Sequence, residues 1–197
     1  MFTIDEGIQG VKFARSVVEA YVKQETMPSV TESFFNKKRG VFVTLHTYPD
    51  KLLRGCIGIP EPILSLNKAI IEAGASVTHD PRFPPLQQEE LDTIIVEITL
   101  LTKPEPIKYK SPEELKEKIT IGRDGLIIRY HGRSGLFLPQ VPIEQGWDVE
   151  TYLTHLCFKA GLPPDAWFDK EADISSFQGQ IFAEDKPYGQ IREHKTT

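Results

Sequence analysis

The chain has 197 residues, 40% of them hydrophobic and 26% charged, with a net charge of −5. That length suits one large domain or two small subdomains with a real core. The acidic balance disfavours broad nucleic-acid binding, which needs a basic face, and no run approaches the roughly 18 apolar residues of a membrane span.

The first helix is announced by Thr3-Ile4-Asp5-Glu6, a capping-box pattern, followed by Ile8, Val11, Ala14, Val18, Tyr21 and Val22 at helical spacing. Pro28 breaks it. Lys37-Lys38-Arg39 is the only basic cluster and reads as a solvated turn. Val41 to Thr47 and Leu52 to Ile59 are β-rich and flank Tyr48-Pro49-Asp50-Lys51, which predicts a hairpin. A helix is expected over Leu64 to Val77. Asp80-Pro81-Arg82-Phe83-Pro84-Pro85 is a stiff loop, since each proline fixes its own φ and restricts its predecessor. Ile94 to Leu101 reads as a strand.

In the second half, Ser111-Pro112-Glu113-Glu114 is a strong helix start. Gly125 to His131 and Leu136 to Pro139 predict a second hairpin. Asp148 should cap a helix that runs to about Ala160 and stops at Gly161. Phe177 to Ala183 alternates as a last strand. The two halves share one element order: helix, strand, strand, helix, Pro-Pro loop, strand. Matching elements are offset by roughly 82 positions, which suggests an internal duplication; chance coincidence of order is the alternative. The expectation is an α+β fold with an antiparallel sheet of about six strands, built from two similar units, as one body or two lobes. We expect a single domain over 1–190, with internal units about 1–103 and 104–185, and a polar tail over 186–197.

The stretch Leu53-Arg54-Gly55-Cys56-Ile57-Gly58 carries the most chemistry. Strand side chains alternate, so Leu52, Arg54, Cys56 and Gly58 are expected on one face and Leu53, Gly55, Ile57 and Ile59 on the other. Glycine inside a strand weakens it and marks close approach of a ligand or another backbone. Cys56 is a candidate catalytic nucleophile, a ligand contact or a packed residue, since free cysteine is among the most buried types. The charge of Arg54 is expected to favour its thiolate. Arg54 is read as an anion-binding group or as the partner of Glu97 or Asp80. Asp80 and Arg82 form a preorganised polar edge or pair with each other. Glu144, Gln145 and Trp147 form a second polar loop with an aromatic wall suited to a ring-shaped ligand; Trp147 as a core plug is the alternative. His46, His79, His131, His155 and His194 lack metal-ligand spacing, so no metal and no cofactor is expected.

Cys56 and Cys157 are the only cysteines, and Met1-Phe2-Thr3-Ile4-Asp5-Glu6 lacks the features of a secretion signal. A cytoplasmic protein with reduced thiols is expected.

The hexapeptide resembles the signature of the AMMECR-type domain family. The match continues through Asp80-Pro81-Arg82-Phe83-Pro84-Pro85-Leu86, Gly122-Arg123-Asp124-Gly125-Leu126 and Gly135-Leu136-Phe137-Leu138-Pro139-Gln140-Val141. It extends to Glu144-Gln145-Gly146-Trp147-Asp148 and to Leu156-Cys157-Phe158-Lys159-Ala160-Gly161-Leu162. The resemblance implies an antiparallel α+β fold with two repeated units, and association of some bacterial relatives with Memo-like and radical-SAM proteins. It implies no assigned reaction. Three readings stay open: an enzyme or small-ligand site centred on Arg54 and Cys56, with a small anionic ligand; a non-catalytic module that binds a metabolite or a partner protein; and a purely structural hexapeptide. In the second reading Gly55 and Gly58 give backbone access and Trp147 a wall; in the third, Gly55 is the position least tolerant of change.

Overall fold

The computed structural model describes residues 1–194. In chain order its helices and strands are α1 Ile4–Val22, β1 Val41–Thr47, β2 Leu53–Ile59, α2 Leu66–Val77, β3 Ile94–Leu101, β4 Glu105–Pro106 and α3 Pro112–Lys118. They continue with β5 Gly125–Tyr130, β6 Arg133–Phe137, α4 Val141–Glu144, α5 Val149–Lys159, β7 Asp173–Phe177, β8 Gly179–Glu184 and β9 Ile191–His194. The chain divides into two compact units: Met1–Lys103 with the segment from Gln180 onward, and Pro104–Gly179.

In the first unit, α1 starts where the capping box places it. Glu6 N–H donates to Thr3 Oγ1 at 3.2 Å, and Thr3 N–H donates to Glu6 Oε2 at 2.9 Å. The stripe Val11, Ala14, Val17 and Val18 then packs with Ala69, Ile70 and Ala73 of α2 and with Val41, Val43 and Leu45 of β1. Alternation leaves Phe42, Thr44 and His46 on the other face of β1. The five-stranded sheet has the order β2-β1-β3-β8-β9. β1 is antiparallel to both β2 and β3, and β8 to β9.

A buried ion pair ties α1 to β8. Arg15 Nε donates to Glu184 Oε1 at 2.7 Å, and its Nη2 meets Glu184 Oε2. Val96 N–H donates to Glu184 Oε2 at 3.0 Å, and two further guanidinium hydrogens reach the carbonyls of Leu91 (3.1 Å) and Ile94 (2.8 Å). Burial of both charges is tolerated because they pair in a fork and four of the five guanidinium N–H groups are hydrogen-bonded.

The second unit carries a four-stranded antiparallel sheet, β4-β7-β5-β6. Leu126 and Ile128 pack with Tyr152, Leu153, Leu156 and Trp167. Its helix caps are those the sequence indicates: Glu114 N–H donates to Ser111 Oγ at 3.3 Å and Thr151 N–H to Asp148 Oδ1 at 2.8 Å.

The differences from expectation have local causes. Nine strands occur among the described residues, where about six were expected. β4, β7 and β9 are only two to five residues long and alternate weakly. The expected strand over Phe177 to Ala183 is broken at Gln178: β7 closes the second unit's sheet, while β8 joins the first. β6 begins at Arg133, not Leu136, because the turn is only His131-Gly132, both at positive φ (47° and 76°); two-residue hairpins favour that geometry. Within the expected polar tail, Ile191–His194 forms β9 against β8, and residues 195–197 lie outside the described part.

Candidate functional site

β2 is the edge strand of the first sheet, and a bulge divides it. Leu45 lies opposite Gly55, but His46 lies opposite Leu53, so Arg54 is the extra residue. This corrects the expected alternation. Leu53 moves to the His46 face, because a one-residue slip exchanges the faces. Beyond the bulge, Cys56 lies opposite Thr44, and Thr44 lies opposite Glu97. Cys56, Thr44 and Glu97 therefore form one cross-strand row on the face turned away from α1 and α2. Thr44 Oγ1 donates to Cys56 Sγ at 3.3 Å.

The loop after α2 clasps the outer edge of β2. Cys56 N–H donates to Asp80 Oδ2 at 2.8 Å, and Arg82 Nη2 donates to the Cys56 carbonyl at 3.1 Å. Asp80 is buried and takes Arg82 in a fork, with Nε to Oδ1 at 3.0 Å and Nη2 to Oδ2 at 2.6 Å. Of the two readings for Asp80 and Arg82, the pair forms, and it also covers an otherwise open sheet edge. Arg54 pairs with neither Glu97 nor Asp80. Its guanidinium forks onto Glu90, with Nε to Oε1 at 2.8 Å and Nη2 to Oε2 at 3.0 Å. Glu90 belongs to a 3₁₀ segment, Gln88–Thr93, and a bulged residue is free to swing toward it. Phe83 lies between the two guanidiniums, whose carbons are 6.0 Å (Arg54) and 5.7 Å (Arg82) from its ring centre.

The two glycines do not leave bare backbone. A Cβ on Gly55 would sit 2.9 Å from the Val77 carbonyl oxygen at the end of α2, so a backbone fills that space. A Cβ on Gly58 would fall 2.2 Å from the Phe42 ring, which lies flat on it. Both glycines serve close packing.

The electrostatics also depart from expectation. Burial pushes the Cys56 thiol up, opposed by the Thr44 hydrogen bond and by Arg82. Arg54, turned to Glu90, takes no part. The Arg82 fork holds the Asp80 carboxyl well below the usual range. Burial alone lifts Glu97 to about 7. Burial, then Lys51, lowers His46.

Glu144, Gln145 and Trp147 belong to the second unit. Glu144 ends α4, and Glu144 and Gln145 are exposed. The Trp147 ring is stacked on His155 at 4.1 Å with a 4° interplanar angle, and its neighbour Phe137 meets it at 65°. One face of Trp147 is thus covered and its edge packed on the core, so the ring-ligand wall gives way to the core plug.

Thr44, Glu90 and the row position of Glu97 escaped sequence reasoning. The polar Thr44 between Val43 and Leu45 is a readable sign of a second, non-core face. The Glu90 pairing has no such sign.

The AMMECR1 family model matches residues 11–182. The chain is 56% identical to the protein MJ0810 of Methanocaldococcus jannaschii, over 99% of this chain and 98% of that one. It is 47% identical to the protein MK0488 of Methanopyrus kandleri, over 97% and 94%. The crystal structure of the uncharacterized protein PH0010 from Pyrococcus horikoshii matches it with a TM-score of 0.78 at 45% identity, covering 96% of each chain. None of these names states an activity.

Proposed function

The chain belongs to the AMMECR1 family, and from its own geometry we propose that the Cys56 end of the first sheet is a small-ligand site. The observation that carries this reading is the polar row Cys56–Thr44–Glu97 on a face that the helices leave uncovered. Packing alone does not call for a thiol, a hydroxyl and a carboxyl in one row. Cys56 acts there as a contact group. A nucleophile needs the thiolate, and burial shifts this thiol the other way. Arg82 supplies charge for an anionic group, a carboxylate or a phosphate. Its side chain is 54% exposed although its inner edge is fixed on Asp80 and Cys56, which suits forked recognition of oxyanions. Arg54 is a positioning residue that holds the bulge through Glu90.

The test is alkylation of Cys56 by iodoacetamide with and without inorganic phosphate or acetate; Cys157, fully buried, serves as the silent thiol. Both anions slow the labelling of the wild type, and Arg82→Gln removes that protection. Labelling indifferent to both anions sinks the reading.

Two coarser readings accompany it. Free thiols at Cys56 and Cys157 support a cytoplasmic location, and no described helix is long and apolar enough to cross a membrane. Duplication of one ancestral unit is supported by strand order. In β2-β1-β3 and in β6-β5-β7 the later strand joins the first strand of the hairpin. Gly135, like Gly55, meets the end of the following helix: its Cβ would lie 2.7 Å from Ala160 N.

A further inference from the structure

A cavity of about 200 Å³ opens on the same face of the first sheet, beside the Cys56 row. Its floor is Ile95 and Ala183, and its polar lining is His46, Lys51, Glu97, Glu184 and His194. At roughly 30 Å³ for each water, it holds a ligand the size of six or seven waters.

The lining groups are not equally available. Glu184 is spent on Arg15 and on Val96 N–H. Lys51 sits in the exposed hairpin turn and does not act on Glu97, whose shift comes from burial alone. The imidazole of His46 is pushed toward its neutral form. Among the described residues, neither a hydrogen bond nor an ion pair reaches the Glu97 carboxyl, half-buried though it is. A half-buried carboxyl without a partner is costly, and the ligand that relieves it must bring donors and positive charge.

We propose that this cavity binds a small primary amine, its ammonium paired with the Glu97 carboxylate and donating to a ring nitrogen of His194, with His46 in the wall. An ammonium has three donors and no acceptor; the Glu97 carboxylate and a ring nitrogen of His194 offer acceptors to it. An anion at the same place would meet the unpaired Glu97 carboxyl, with only the exposed Lys51 to offset it. A metal ion fits less well: among the described residues, no three or more of the histidine, cysteine and carboxylate side chains converge as metal ligands. The inference goes beyond the Cys56 site, with which this cavity shares Glu97.

Binding is linked to pH. The ionisable groups around Glu97 are His46 on the adjacent β1, Cys56 on β2 beyond it, Lys51 in the turn, Glu184 paired with Arg15, and His194 and Arg192 on β9. Arg192 lies opposite Ala183 and bonds Gln190. Since Glu97 titrates at about 7, amine affinity rises about tenfold from pH 6 to pH 8. Each binding event near pH 7 releases part of a proton.

The experiment is isothermal titration calorimetry of the full chain with ethylamine, at pH 6 and pH 8, in two buffers of different ionisation enthalpy. Expected are tighter binding at pH 8, proton release at pH 7, loss of binding in Glu97→Gln and several-fold weakening in His194→Ala, an exposed position. Cys56→Ala retains amine binding, which separates this site from the one at Cys56. Absence of ethylamine binding, or unchanged affinity in His194→Ala, overturns the proposal, and the second arm stands even if Glu97→Gln does not fold.

Discussion

The second hairpin strand of each unit packs its glycine against a helix end, but the residues around that glycine differ. Aligning Gly55 with Gly135 sets Arg54 against Ser134 and Cys56 against Leu136. Through the registers, the row Cys56–Thr44–Glu97 corresponds to Leu136–Ile127–Ser175. Ile127 and Ser175 are buried. Counting from the helix caps Thr78 and Ala160, the clasping Asp80 corresponds to Leu162. The second unit thus carries Leu136, Ile127 and Ser175 where the first carries Cys56, Thr44 and Glu97, and Leu162 where the first has its clasp. The frame needs the glycine; it does not need the thiol, the carboxyl or the aspartate.

Predictions test that separation. The largest effect is expected from Glu97→Gln. Its folded pKa is about 7 against an ordinary 4.5, so the raised value favours folding below pH about 4.5 and that advantage is lost as pH rises through 7. The wild type therefore falls behind Glu97→Gln by on the order of 3 kcal/mol at pH 8, as read from urea midpoints. A flat difference between pH 5 and pH 8 would mean Glu97 has a partner.

Next come the shared glycines. Gly55→Ala and Gly135→Ala each destabilise by about 1–3 kcal/mol, since the new methyl meets backbone that cannot turn aside. If one is neutral, the two positions are not equivalent. Asp80→Asn costs about 2 kcal/mol at neutral pH, the value of charged hydrogen bonds to a buried carboxylate. Because that carboxyl is held low, its contribution is present above pH about 4 and is lost as pH falls further. The smallest effect is kinetic: the labelling of Cys56 rises at higher pH than that of a free cysteine. A midpoint below it would restore the nucleophile.

Much of the frame was legible because its signals are local. Thr3, Ser111 and Asp148 cap helices within four residues, and Ile94–Leu101 is dominated by β-branched residues. What failed to read was non-local. Arg15 finds Glu184 across 169 positions and Arg54 finds Glu90 across 36, and an arginine in an apolar stretch does not name its carboxylate. The bulge at Arg54 is set by the partner strand, so the faces of Leu53 and Arg54 could not be assigned from β2 alone. Cys56 and Asp80 could be singled out only separately, because the row that contains Cys56 depends on the register of three strands.

The most direct test replaces the row with its counterpart: Thr44→Ile, Cys56→Leu and Glu97→Ser together, followed by urea unfolding at pH 8. If the polar row serves a ligand and not the fold, the triple variant is at least as stable as the wild type and no longer binds ethylamine. Loss of several kcal/mol, or retained ethylamine binding, would contradict that claim.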